Sequence, residues 1–221
     1  MMQDFGSMIG RGSSAQVFRG NLVDSTPVAV KRINIHGGRT VAGEEEFKRE
    51  VSIIGNVHQR SLVRLLGYCF QRRGGLYLVY PFYENGSLER WPFHGSEEQR
   101  RLLTWPKRCC IAVDVARALA YECRRQILHL DIKPGNILLD GDLYAYVSDF
   151  GISMSITRDL TSVINTRGRG TFGYMAPEML VNAVSDRSDV FRYGMTLLEP
   201  ISGRRNFDPS SWATPDPNPL T

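Results

Sequence analysis

The chain has 221 residues, 42% hydrophobic and 23% charged, room for one large or two small domains that bury roughly 70% of the chain surface. Its 27 basic and 23 acidic residues leave a formal charge of +4, interspersed rather than blocked, which reads as a solvated surface and not a nucleic-acid footprint. The N-terminus lacks a basic-then-apolar leader and no uninterrupted apolar run is long enough to cross a bilayer, so the chain as given is expected to be soluble. Cys69, Cys109, Cys110 and Cys123 show no metal-ligand spacing and are expected to be buried thiols of a reducing compartment.

In chain order, Ile9-Gly10-Arg11-Gly12-Ser13-Ser14-Ala15-Gln16-Val17 carries G-x-G-x-x-A. Dinucleotide-binding folds share that spacing, but there the last small residue opens a helix. Here Gln16 to Gly20 alternate like a strand, so the segment predicts a strand-turn-strand lid. Gly10 and Gly12 would let backbone N–H groups approach phosphates, with Ala15 as the third small position. Val28-Ala29-Val30-Lys31 predicts a strand with Ala29 and Lys31 on one face, the first against a base and the second at its phosphates. Glu44 to Gly55 reads as a helix with Phe47, Val51 and Ile54 on one apolar face and Glu44-Glu45-Glu46 in a first turn that favours carboxylates. Leu62–Phe70 and Leu76–Tyr80 read as strands, and Pro81 to Leu88 as a break in regular structure. Thr104 is the expected N-cap of a helix whose apolar stripe is Trp105, Cys109, Ala112, Val113, Ala116 and Leu119.

Next comes His129-Leu130-Asp131-Ile132-Lys133-Pro134-Gly135-Asn136. Asp131 and Asn136 are close enough for one loop to present both. The apolar run Ile137-Leu138-Leu139, the turn signal Asp140-Gly141-Asp142 and a second β-rich run predict a hairpin, which returns Asp149 to the same place. Two carboxylates, an ammonium and an amide then converge. That set suits phosphoryl transfer: oxygen ligands for Mg²⁺, a cation for the moving phosphoryl and a carboxylate to orient a hydroxyl. Further on, Pro200 predicts a kink or early stop in a helical pattern, and the Pro-, Ser-, Thr- and Asp-rich run 208–221 reads as disordered.

The spacing H-x-D-x-x-x-x-N followed by Asp149-Phe150-Gly151 resembles the catalytic core of the protein kinases. Cys69, Asn85-Gly86-Ser87-Leu88, Trp105 and Gly170-Thr171-Phe172-Gly173-Tyr174-Met175-Ala176-Pro177-Glu178 resemble the plant receptor-like serine/threonine kinases, a likeness running from about Phe5 to Phe207. The resemblance implies an α+β, bilobal protein-kinase-like fold. A β-rich nucleotide-binding lobe would span 1–80, a hinge 81–84, a helical catalytic lobe lacking its last helices 85–207, and a disordered tail 208–221. It implies ATP and Mg²⁺ as cofactors and proteins with Ser or Thr hydroxyls as substrates. Ile9, Gly10, Arg11, Gly12, Ala15, Val17, Ala29, Lys31, Glu50, Tyr80, Pro81 and Tyr83 would hold the nucleotide. Glu50 would pair with Lys31, and Tyr80 would sit at the back of the pocket. The Tyr83 N–H and the Pro81 carbonyl would bind the base.

Asp131 is implied as the catalytic carboxylate, with Lys133 offsetting phosphoryl charge and Asn136 and Asp149 holding the metal. Asp189 would tether the catalytic loop and Thr171 would bond within it. Thr161, Ser162 and Thr166 are implied phosphorylation sites. The same likeness places the chain on the cytoplasmic side, with the parent protein anchored in a membrane. Four departures stand out. Leu130 occupies a position where many kinases carry an Arg that receives a loop phosphate. A Leu-His-His triplet usual in the family is missing between Tyr121 and Glu122, which would shorten a helix by ~4.5 Å and rotate the downstream chain by about 60°. Pro200 and the early end at Thr221 complete the set, the latter removing an Arg that would pair with Glu178. The second reading is a catalytically impaired, pseudokinase-like binding module.

Overall fold

A computed structural model describes residues 6–12, 14–34, 40–55, 57–71, 75–93, 97–155, 170–181 and 183–206. The predicted phosphorylation sites Thr161, Ser162 and Thr166 and the run 208–221 lie outside them.

The first half is a five-stranded antiparallel sheet in the order β1-β2-β3-β5-β4. Its strands are β1 (Met8–Arg11), β2 (Ala15–Asn21), β3 (Pro27–Ile33), β4 (Gly67–Gln71) and β5 (Gly75–Pro81). β2 begins at Ala15, so the glycine segment is a hairpin and not a strand-to-helix turn. Lys31 lies opposite Val17 on one side and Leu78 on the other, and Ala29 opposite Tyr80. Cross-strand partners share a face, so Val17, Ala29, Lys31 and Tyr80 line one surface. Helix α1 (Thr40–Ile54) seals the sheet with Phe47 and Ile54, both buried. It ends where predicted: the Gly55 N–H closes on the Val51 carbonyl, 2.5 Å from where a Cβ at residue 55 would sit.

Two short helices, α2 (Arg90–Phe93) and α3 (Glu97–Leu102), lead into the twenty-residue α4 (Trp105–Arg124). β6 (Ile127–Leu128) pairs with β9 (Met154–Ser155), and the predicted hairpin is β7 (Ile137–Leu139) with β8 (Ala145–Val147). Asp140 Oδ1 shapes its turn by accepting from the Asp142 and Tyr144 N–H groups. α5 (Asp186–Ser202) opens on a capping box at Ser185 and closes on Gly203, whose φ of 68° suits a residue without Cβ. The main core runs through both halves, from Ile33 and Phe47 to Ile111, Ile132 and Phe150.

Five expectations change. α1 starts at Thr40, so Glu44 to Glu46 lie past the first turn and the dipole account of them fails. Of the run 62–70 only residues 67–70 fall in β4; Leu62 and Val63 are buried and bond instead to β8, through the Val63 N–H to Val147 O at 3.0 Å. Helix α4 buries Ile111, Asp114, Val115, Ala118 and Glu122, so of the predicted stripe Trp105, Cys109 and Val113 are exposed and Leu119 reaches the core only at its edge. Two faces of α4 carry apolar residues at helical spacing, and the one holding polar Asp114 and Glu122 turned inward. Cys109, Cys110 and Cys123 on α4 and Cys69 on β4 are all exposed, not buried. Finally, Pro200 does not stop α5, which runs on to Ser202; in the last turn the missing N–H costs little.

Candidate active site

Lys31, on β3, is buried and gathers three carboxylates. Its Nζ lies 2.8 Å from Glu50 Oε2, 2.8 Å from Asp149 Oδ1 and 3.5 Å from Glu46 Oε1. Glu46 and Glu50 share a face because α1 brings residues four apart together. The Tyr80 hydroxyl donates to the other Glu50 oxygen. Burial alone would push the Lys31 ammonium down, but Asp149, Glu50 and Glu46 outweigh it and hold it well above the ordinary lysine range. Asp149 reaches Lys31 from a backbone with φ 68°. Glu46, Glu50 and Asp149 form a cluster of the kind that can hold a metal ion, but the Lys31 ammonium already bonds Glu50 and Asp149.

The second group is the loop between β6 and β7. Asp131 Oδ1 accepts from Thr171 Oγ1 at 2.9 Å and from Arg192 Nη2 at 2.8 Å. Its Oδ2 accepts from Asn136 Nδ2 at 3.0 Å and lies 2.9 Å from Lys133 Nζ. Burial pushes the Asp131 carboxyl up, but Lys133 and Arg192 beside it hold it below the usual carboxylate range. Lys133 also donates to Thr171 Oγ1 at 2.7 Å. Ser148, the residue before Asp149, donates to the Asn136 carbonyl through both its N–H and its hydroxyl, 2.9 Å each. Asp131, Asn136, Asp149 and Lys31 are thus linked in one network.

The loop is held from below. Asp189, on α5, accepts the His129 N–H at 2.7 Å and the Leu130 N–H at 2.8 Å. Leu130 sits at φ 65°, a conformation that costs a non-glycine residue about 1–2 kcal/mol. His129 Nδ1 accepts the Asp131 N–H, and Nε2 lies 3.1 Å from the Ser148 carbonyl, which together fix the neutral Nε2–H tautomer. Burial pushes its pKa down, in keeping with that form. Glu178 finds a partner in Ser188 Oγ at 2.8 Å.

The glycine hairpin carries a cradle that the protein's own packing does not demand. A Cβ at Gly10 or Gly12 would meet nothing nearer than 3.6 Å, so their small size leaves room for something outside the chain. Asn136 uses Nδ2 for both of its bonds, to the Asp131 carbonyl and to Oδ2, which leaves its amide oxygen as a ligand atom. With Asp149, whose side chain is partly exposed, that gives the hard oxygen donors a divalent cation takes.

Reading the sequence missed Arg192 and Glu122, and it set Glu46 aside as a structural helix residue where the structure makes it a third carboxylate on Lys31. Arg192 had a signal. It lies three residues after Asp189, so a helix that aims Asp189 at the loop aims Arg192 there too. Glu122 is buried on α4 with neither carboxylate oxygen bonded among the described residues.

A β-sheet lobe and a helical lobe around a lysine–glutamate pair, an Asp–Asn loop and a returning Asp define the protein-kinase class. The family model for protein tyrosine and serine/threonine kinases matches residues 4–211, and the chain belongs to that family. Among its relatives are plant receptor-like kinases. It is 46% identical over 211 residues to a G-type lectin S-receptor-like serine/threonine-protein kinase of Arabidopsis thaliana, covering 94% of this chain and 25% of that protein. It is 46% identical over 212 residues to a probable receptor-like protein kinase of Arabidopsis thaliana, covering 91% of this chain and 46% of the relative. A proline-rich receptor-like protein kinase of the same plant is 42% identical over 209 residues, 92% of this chain and 30% of its own. The chain therefore spans between a quarter and a half of these relatives. Among the described residues no helix is long and apolar enough to cross a membrane.

Proposed function

We propose that this chain transfers the γ-phosphoryl group of Mg²⁺–ATP to Ser or Thr hydroxyls of proteins. The observation that carries the reading is the single network joining Lys31, Asp149, Asn136 and Asp131. In this reading residues 1–80 form the nucleotide lobe, 81–84 the hinge and 85–207 the catalytic lobe. Val17 and Ala29 flank the base, Ile9 to Gly12 and Ala15 lie over the phosphates, and Tyr80 closes the back. The Phe82 N–H bonds to Pro27 and the Val79 carbonyl to Leu66, on opposite sides of the strand. By the alternation of a β-strand, the Pro81 carbonyl then points past the end of β4, and the Tyr83 N–H comes next on the same side, ready for the base.

Lys31, held by Glu50, binds nucleotide phosphate. Asp131 accepts the hydrogen of the substrate hydroxyl and orients its oxygen. Lys133 leaves Asp131 for the moving phosphoryl, and Thr171 keeps the end of the activation segment on the loop. Four carboxylates face three cations here (Glu46, Glu50, Asp131 and Asp149 against Lys31, Lys133 and Arg192), so a triphosphate meets a net negative site. That favours a divalent cation, and hard oxygen donors at Asn136 and Asp149 suit Mg²⁺. When bound it would neutralise charge on the phosphoryl oxygens. In the longer protein this domain would lie on the cytoplasmic side of a membrane-anchored receptor, with no role in binding nucleic acid.

The test is phosphate transfer from labelled Mg²⁺–ATP to the protein itself and to a Ser/Thr protein substrate, beside Asp131→Asn. Transfer that Asp131→Asn abolishes supports the reading. An upward melting shift with Mg²⁺–ATP but no transfer would leave a binding module instead.

A further inference from the structure

Arg192 enters the underside of the catalytic loop from α5, and none of its surface reaches solvent. Nη2 donates to Asp131 Oδ1, Nη1 meets the Met179 sulfur at 3.8 Å, and Nε has no hydrogen-bond partner among the described residues. A Cβ at Gly170 would stand 2.8 Å from Nη2, so the guanidinium is wedged between the loop and the end of the activation segment. It has no room to swing away, and moving it would strand a buried charge.

A carboxylate offers about four lone-pair positions. On Asp131, Thr171 and Arg192 both occupy Oδ1, while Asn136 bonds Oδ2 with the Lys133 ammonium 2.9 Å from it. An acceptor hydroxyl needs one. Lys133 and Thr171 lie at the open side and can yield. Arg192 cannot, and it bonds the same oxygen as Thr171.

We propose that Arg192 is a fixed restraint on turnover: it holds Asp131 Oδ1 from inside the protein and competes with the acceptor hydroxyl for the catalytic carboxylate. It is a positioning residue acting through Asp131, and the inference rests on the phosphoryl-transfer reading above. Removing it frees one acceptor position while Asn136, Lys133 and Thr171 still hold the side chain in place.

Arg192→Met keeps much of the buried stem and removes the guanidinium. Arg192→Gln is the second variant, with a polar end and no charge, and Arg192→Lys retains a cation. Each is assayed for transfer to a Ser/Thr protein substrate and for its melting shift with Mg²⁺–ATP. The Met and Gln variants are expected to raise kcat about tenfold, the worth of one charged hydrogen bond, with KM for ATP unchanged. The Lys variant stays near the parent rate, and Asp131→Asn placed in the Met variant erases the gain. A general loosening of the structure would not produce that split. Met and Gln variants that melt cooperatively, bind Mg²⁺–ATP like the parent and transfer no faster would overturn the inference while the function stands. Failure of both to fold would overturn it too, by making Arg192 a structural ion. If parent and variants all bind Mg²⁺–ATP and transfer nothing, the inference falls together with the reading beneath it.

Discussion

Replacing Glu122 by Gln should stabilise this protein near neutral pH. Glu122 lies on the inward face of α4, 1% exposed, with neither carboxylate oxygen bonded among the described residues and with Asp189 as a like-charged neighbour. It sits where the sequence reading expects the helix to be three residues short. α4 nonetheless runs unbroken to Arg124, and the chain turns at Gln126, φ 59°. Burial, helped by Asp189, pushes the carboxyl well above its ordinary value of 4.5. The folded protein therefore binds a proton that the unfolded chain releases. The stability from that proton is complete below the unfolded pKa and is lost as pH rises through the folded one. Between the two values, parent stability falls relative to Glu122→Gln by about 1.4 kcal/mol per pH unit. Leaving one neutral buried carboxyl unpaired costs about 1–3 kcal/mol on its own. Urea unfolding of parent and variant from pH 4 to pH 8 measures the difference directly. Curves that stay parallel over that range would show Glu122 to be solvated or paired, and not stranded by its burial.

Three further outcomes are expected. Lys31→Met strands Glu46, Glu50 and Asp149 together, and should cost about 3–5 kcal/mol in denaturant unfolding and abolish the melting shift with Mg²⁺–ATP. Asp189→Asn can offer only one oxygen to the two N–H groups at 2.7 and 2.8 Å, so unfolding should become easier by about 1–3 kcal/mol and transfer should drop further than ATP binding. Treatment with a phosphatase should change transfer little: Leu130 packs against Ala176 and Met179, an apolar anchor for the end of the activation segment where an Arg would need a phosphate. Equal collapse of activity after phosphatase treatment would refute that.

The sequence locates the Lys31, Asp131, Asn136 and Asp149 positions because each rests on a short, stiff device. A strand of period two aims Lys31, a five-residue spacing binds Asn136 to Asp131, and a tight hairpin returns Asp149. Reading the sequence fails where residues act at odds with their type. Arg192, Glu46 and Glu122 are ionisable, a type that reads as surface or helix-end, yet all three lie in or beside the interior. α4 offers two faces with apolar spacing, and only packing against α5 and β8 decides between them. Leu62 and Val63 have strand composition but meet their burial against the β7–β8 hairpin, not in the sheet.

The same division shows in where backbone strain is stored. Leu130 lies beside Asp131 in the proposed site and Asp149 belongs to that site, and both adopt left-handed backbone, at φ 65° and 68°. For Leu130 that conformation costs about 1–2 kcal/mol, while an Asp tolerates it at less cost. Each is held by a charged partner from a distant element. Asp189 accepts the Leu130 N–H across 59 residues, and Lys31 binds the Asp149 carboxylate across 118. A hydrogen bond to a charged group contributes about 1.5–3 kcal/mol, enough to offset the strain and little more. The loop between β6 and β7 therefore keeps its shape only while the sheet, α5 and the loop are docked. Loosening any one of them releases a strained residue at the site itself, which is why losses far from Asp131 should reach turnover before they reach global stability.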